Sequence, residues 1–135
     1  MTDWNLVAKK LAFIETCVQE LRSLARPEEI RSDIRQERFV EHTLQIAIQA
    51  ALDVASHVVS DERLGEPRNN QELFELLERY RWIPPDLSSS LRKMAGFRNI
   101  LVHGYETVDL AIVEKILTDH LDDLLRFASA IRVKL

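Results

Sequence analysis

Four side chains able to act on a phosphodiester lie close together near the end of an apolar run. The stretch GFRNILVHGY, residues 96–105, contains Arg98, Asn99, His103 and Tyr105. Arginine is a permanent cation whose planar fork matches a phosphate, and histidine exchanges a proton near neutral pH. These residue types together suit cleavage of a phosphodiester bond, which needs proton transfer and stabilisation of negative charge.

The spacing by itself does not bring the arginine and the histidine together. On an α-helix Asn99 and His103 share one face, whereas Arg98 and His103 diverge by about 140°. Gly104 follows directly and is a helix-end signal, so a frayed last turn, or a second copy of the chain, would have to close the gap. The alternative is that His103 simply favours the negative end of its helix and that Arg98 forms a surface ion pair.

A second polar pair, Asp53 and His57, lies four residues apart in the apolar segment AIQAALDVASHVV. Because a charge is costly in such surroundings unless it is paired, we expect these residues to hydrogen-bond to each other or to the 98–105 stretch. A structural role and a supporting role at that stretch both stay open. His42 and His120 lie in charged surroundings and are interpreted as surface histidines.

The elements that must position these residues are helices. Apolar residues recur at steps of three and four, and glycine and proline occur almost entirely at breaks. The pattern predicts a helix over Asp3–Leu24, a long helix starting at Pro27, a short helix capped by Asn70, a fourth helix entered through Pro84 and Pro85 and ending near Gly104, and a C-terminal helix. We therefore expect an all-α chain, a single domain over residues 1–135, folded as an up-and-down bundle of four long helices plus a short one.

Composition narrows the function classes. The net charge of −4 argues against broad affinity for polyanions, so any nucleic-acid contact must be local.

The one cysteine, Cys17, lies on the apolar face of the first helix, which favours a buried thiol and a reducing cytoplasm. The start MTDWNLVAKK lacks a signal-peptide pattern, and no long uninterrupted apolar run suggests a membrane span, so we expect a cytoplasmic protein. Metal-ligand spacings and glycine-rich phosphate loops are missing from the sequence, so no metal or other cofactor is expected.

The segment from Arg98 to Tyr105 fits the pattern R-x4-H-x-Y with a polar residue after the arginine. Together with the upstream Asp-x-x-x-His helix, it resembles the HepT-like toxins of the HEPN superfamily, and the resemblance covers most of the chain. Gly104 departs from the family pattern, in which a charged residue is frequent at this place, but the change removes no reactive group.

The resemblance implies a metal-independent endoribonuclease, the toxin of a type VII (HEPN/MNT) toxin–antitoxin system. It makes Arg98 and His103 the catalytic residues and Asn99 a supporting one. It further implies a nucleotidyltransferase antitoxin of the MNT type that silences the toxin by transferring AMP to Tyr105. Two protomers are expected to pair with motif facing motif, and such a homodimer can join a larger hetero-oligomer.

Two alternatives remain at this point. Arg92 and Lys93, one to two turns before the motif, could extend a cationic surface toward RNA, although two cations on a solvent face commonly serve solubility. The whole chain could also be a non-catalytic helical interaction module, or a degenerate toxin whose tyrosine is still modified.

Overall fold

The computed structural model describes residues 3–103 and 108–135, and these residues form five helices and no strand. The helices are α1 (Trp4–Leu24), α2 (Ile34–Asp61), α3 (Asn70–Arg79), α4 (Pro85–His103) and α5, which joins the α-helical segments Leu110–Lys115 and Leu121–Arg132 through the π-helical segment Ile116–His120. The expected all-α bundle of four long helices and a short one is confirmed.

Side-chain caps begin four of the helices. Asp3, Asp33, Asn69 and Asp109 precede α1, α2, α3 and α5, and each side chain accepts a hydrogen bond from a backbone N–H in the first turn. The cap of α3 is therefore Asn69, one residue before the predicted Asn70.

The second helix does not start at Pro27 as predicted. Pro27–Glu29 forms a separate 3₁₀ turn, after which Asp33 caps α2. The Gln36 side chain closes this connection by accepting from the N–H of Arg26 at 2.8 Å and donating to the carbonyl of Leu24 at 3.2 Å. These residues reverse the direction of the chain, and α2 then packs along α1.

The centre of the bundle is α2, which contacts every other helix. Ala47, Ala51 and Ala55 are fully buried on it, and their small side chains allow the neighbouring helices to approach closely. In the described part of the chain, no helix has the length and apolar character needed to cross a membrane.

The π-helical segment in α5 is a feature that the sequence pattern did not predict. Ile116 and Leu121 are both buried although an α-helix would turn them about 140° apart. One wider turn keeps both in the core, and the Thr118 hydroxyl donates to the Glu114 carbonyl at 3.0 Å within it. His120 is the last residue of this segment, so the same turn sets the direction of its side chain.

Candidate active site

The last turns of α4 carry Arg98, Asn99 and His103. Contacts with α3 hold this helix in place: the buried Ser88 hydroxyl donates to the Phe74 carbonyl at 3.3 Å, and Gln71 Nε2 donates to the Arg92 carbonyl at 3.3 Å. The buried side chains Leu91, Met94 and Phe97 attach the helix to the core. The motif therefore sits at the end of a helix whose other parts are tightly packed.

Arg98 is half-buried and is directed by its neighbour. Its Nη1 donates to Asn99 Oδ1 at 3.2 Å. Its Nε is buried and finds no acceptor among the described residues. A guanidinium held in this way keeps hydrogen-bonding capacity for an anionic ligand.

His103 is exposed at the last described position of α4, and Asn99 lies one helical turn before it on the same face. Asn99 thus links the arginine, through its side-chain oxygen, to the face that carries the histidine. Tyr105 and Gly104 lie outside the described residues.

Asp53 and His57 have partners other than those we expected. Asp53 accepts from Lys10 Nζ at 3.1 Å and from Gln49 Nε2 at 2.8 Å. The ring of His57 accepts from the backbone N–H of Asp3 at 2.9 Å, and its Nε2 lies 3.3 Å from a carboxylate oxygen of Asp61. The bonds to Lys10 and to Asp3 tie α2 to α1, because Lys10 lies on α1 and Asp3 caps that helix.

His120 is not a partnerless surface histidine. Its Nδ1 lies 2.9 Å from Asp123 Oδ2, and the Asp123 side chain is largely buried. The sequence analysis missed Asp123, although the three-residue spacing on a helix was a usable signal. His42 is exposed, as predicted.

The two cations upstream of the motif have different surroundings. Arg92 donates to Glu75 on α3 at 3.5 Å and to the Ser88 carbonyl at 3.4 Å. It is therefore neutralised by its own chain. Lys93 is exposed on another side of α4.

The sequence profile described as Ribonuclease HepT-like matches residues 14–131. The chain belongs to the HepT-like ribonuclease family. It is 30% identical over 131 residues to the mRNA nuclease HepT of Shewanella oneidensis, covering 96% of this chain and 98% of that one. It is also 35% identical over 78 residues to the tRNA nuclease HepT of Aphanizomenon flos-aquae, covering 58% of this chain and 53% of that one.

Solved structures agree with the family assignment. The tri-AMPylated Shewanella oneidensis HEPN toxin in complex with its MNT antitoxin superposes with a TM-score of 0.89 at 30% identity, over 98% of this chain and 99% of that one. A toxin–antitoxin complex with AMP-PNP gives a TM-score of 0.90 at 29% identity, over 96% and 98% of the two chains. This HepT-like chain is an endoribonuclease of the type VII toxin class.

Among the described residues, neither a reactive thiol nor a cluster of metal ligands competes with the motif as a reactive centre. Cys17 is buried on α1, and burial, with Glu20 nearby, raises the pKa of its thiol to about 11, which leaves it unreactive at neutral pH. Within 3–103 and 108–135 no three histidine, cysteine, aspartate or glutamate side chains come together as metal ligands would.

Proposed function

We propose that this HepT-like chain cleaves RNA with Arg98 and His103 and that a cognate MNT-type nucleotidyltransferase antitoxin silences it by transferring AMP to Tyr105. The observation that carries the proposal is the end of α4, where Asn99 joins a half-buried arginine to the face of an exposed histidine. The family membership supplies the reaction class, and this arrangement supplies the residues for it.

The chemistry follows from RNA itself, which contains the nucleophile. The 2′-hydroxyl attacks the adjacent phosphorus, the bond to the 5′-oxygen breaks, and a 2′,3′-cyclic phosphate and a 5′-hydroxyl result. His103 takes the proton from the 2′-hydroxyl or gives one to the leaving 5′-oxygen. Arg98 binds the phosphate oxygens and stabilises the charge that builds up on them.

Asn99 acts as a positioning residue in this scheme. Its side-chain oxygen accepts from Arg98 Nη1, so it limits the directions that the guanidinium can take. Because Asn99 lies one helical turn before His103, its amide nitrogen can donate to substrate. We assign Asp53 and His57 a role in fixing α2 to α1, because they bond to Lys10 on α1 and to the backbone of Asp3, which caps α1.

The active form is a two-fold homodimer with the two motifs facing each other. Two observations support it: the angular separation of Arg98 and His103 on one helix, and Val102, which is 40% exposed on the Arg98 side of α4. A partner copy would cover Val102 and would bring a second arginine and a second histidine to the same cleft. An acidic chain would thereby gain a local cationic site.

The relatives support the antitoxin part of the proposal. The Shewanella toxin was solved tri-AMPylated and in complex with an MNT antitoxin, and another toxin–antitoxin complex was solved with AMP-PNP. In this chain Tyr105 follows His103 by two residues. We expect AMP on its hydroxyl to add a bulky anion that competes with the RNA phosphate for Arg98.

The test is RNA cleavage by purified protein with and without EDTA. We expect the parent to cleave in EDTA and His103→Ala to be slower by about 10²–10⁴, the usual contribution of general acid–base catalysis. His42→Ala is the matched control, because His42 is exposed on α2 and takes no part in the proposed site. Cleavage by His103→Ala at the parent rate would refute the assignment.

A further inference from the structure

A groove of about 490 Å³ lies between α4 and the first half of α5, beside the proposed active site. Its polar groups and its apolar floor come from both helices and include Lys93, Lys115, His120, Phe97, Ile100 and Ile112. A concave site with apolar walls and a few convergent polar groups is the usual form of a ligand site. Ile100 and Ile112 are 37% and 44% exposed, so the floor is uncovered in this chain.

The lysines of the groove are not neutralised by the chain. Several cations elsewhere pair with carboxylates, as Arg132 does with Glu15 at 2.7 Å and Arg92 with Glu75 at 3.5 Å, although Lys9 and Arg79 are exposed without an ion pair in the described residues. Lys93 and Lys115 lie in no ion pair within the part of the chain that the structure describes. In a protein with a net charge of −4, two such lysines on one groove point to an anionic ligand.

A histidine completes the polar side of the groove. The π-helical segment of α5 ends at His120, and Asp123 holds the ring through Nδ1 at 2.9 Å. A carboxylate can only accept, so Nδ1 carries a proton and Nε2 is left for a ligand in the groove. The carboxylate also fixes the orientation of the ring, since Asp123 is itself held by Arg126 at 3.3 Å.

The groove reaches Ile100, one helical turn before the proposed catalytic histidine. Lys93, Phe97 and Ile100 line the groove, and His103 follows Ile100 by three residues, which is about 60° around the helix. Ile100 is about 4.5 Å from His103 along the helix axis, and Lys93 is about 15 Å away. A strand with its scissile phosphate at His103 can therefore continue past Ile100 into the groove.

We propose that the groove binds the RNA strand that flanks the scissile phosphate, with a base on the apolar floor, phosphates at Lys93 and Lys115, and His120 Nε2 accepting a hydrogen bond from a base N–H. This inference rests on the proposed function and names the part of the protein that holds its substrate. The pairing of apolar surface with unneutralised cations is the usual composition of a single-strand binding groove. Val102 lies about 160° around α4 from Ile100, so a dimer formed through Val102 leaves the groove open.

The experiment measures the affinity for a fluorescein-labelled 2′-O-methyl oligouridine, which cannot be cleaved, by fluorescence anisotropy. The variant is Lys93→Glu with Lys115→Glu, and the matched control is Lys9→Glu with Arg79→Glu, which changes the net charge equally at exposed positions on α1 and α3. We expect the groove variant to raise the Kd about tenfold or more. The salt slope of binding should fall by about 1.4, or about 0.7 for each phosphate that a lysine no longer neutralises. The control should change both quantities much less.

Two further measurements separate the possible occupants. With a cleavable RNA, the groove variant should raise KM and leave kcat near the parent value, because Arg98 and His103 are unchanged. Light scattering should give the groove variant the same oligomeric mass as the parent. A groove variant that becomes a monomer would indicate that the groove is a subunit interface. A groove variant that loses antitoxin binding but keeps its oligouridine affinity would indicate an antitoxin site. Either result overturns the proposal.

The two proposals can fail separately. If the parent cleaves RNA and the groove variant binds oligouridine as tightly as the parent, the groove inference is wrong and the proposed function stands. If the parent cleaves no RNA but the groove variant loses oligouridine, the groove inference stands and the catalytic assignment is wrong. Thermal melting by circular dichroism checks that each variant folds, and Lys93→Ala with Lys115→Ala should give a smaller loss in the same direction.

Discussion

Replacing Arg98 by methionine should separate activity from stability. The change removes the buried Nε, which has no acceptor among the described residues and whose burial costs about 1–3 kcal/mol. It also removes the bond from Nη1 to Asn99, a hydrogen bond to a charged group that contributes about 1.5–3 kcal/mol in the opposite direction. The methionine keeps the apolar stem. We therefore expect the free energy of unfolding to change by less than about 1 kcal/mol, which moves Tm by no more than about 4 °C in a chain of this size.

Activity should behave differently. Loss of one donor that stabilises a developing oxyanion typically lowers kcat by about 10²–10³, and Arg98 is the proposed source of that donor. RNA cleavage under single-turnover conditions measures this step. We expect Arg98→Met to be slower by at least about 10², with a melting curve close to that of the parent.

Arg132→Met is the matched control. Arg132 donates two hydrogen bonds to Glu15, at 2.7 and 2.9 Å, and joins α5 to α1 at a distance from the motif. The guanidinium lowers the pKa of Glu15 by hydrogen bonding, so this stabilisation is present at neutral pH and is lost as the pH falls through that lowered pKa. The control should be less stable by about 0.5–1 kcal/mol at neutral pH, should match the parent in acid, and should cleave normally. If Arg98→Met is the less stable variant of the two, or cleaves as fast as the parent, the role assigned to Arg98 is wrong.

Three other outcomes are expected. Light scattering at micromolar concentration should give a dimer, and a strictly monomeric protein that still cleaves RNA would remove the shared-cleft argument. Tyr105→Phe should stay active in the presence of the nucleotidyltransferase and ATP, and intact-mass spectrometry should show no AMP on it; AMP added to the Phe variant as readily as to the parent would contradict this. Burial, and to a smaller extent the nearby Glu37, raise the pKa of Glu41, so its charge destabilises the fold until it is protonated. Glu41→Gln should therefore raise Tm at neutral pH and lose this advantage in acid. Equal melting of variant and parent at neutral pH would contradict the burial of that charge.

Local sequence patterns determined the helices of this protein. Apolar residues at steps of three and four predicted α1 and α4 nearly to the residue, because helix formation depends on neighbours one turn away. The predicted starts of α3 and α2 were wrong by one residue and by several residues, because the caps Asn69 and Asp33 depend on how the preceding connection turns. The R-x4-H-x-Y pattern likewise lies within a few turns, so the sequence was enough to indicate the family.

Tertiary structure decided which polar groups meet. Asp53 bonds to Lys10, and His57 to the backbone of Asp3, across 43 and 54 residues of sequence, and no periodicity records such distances. The groove beside His103 is likewise made by two helices, and the π turn that aims His120 into it arises because Ile116 and Leu121 must both reach the core. Local pattern tells which face of a helix is apolar, but the rotation and crossing of packed helices determine what that face, and the polar residues at its edge, will touch.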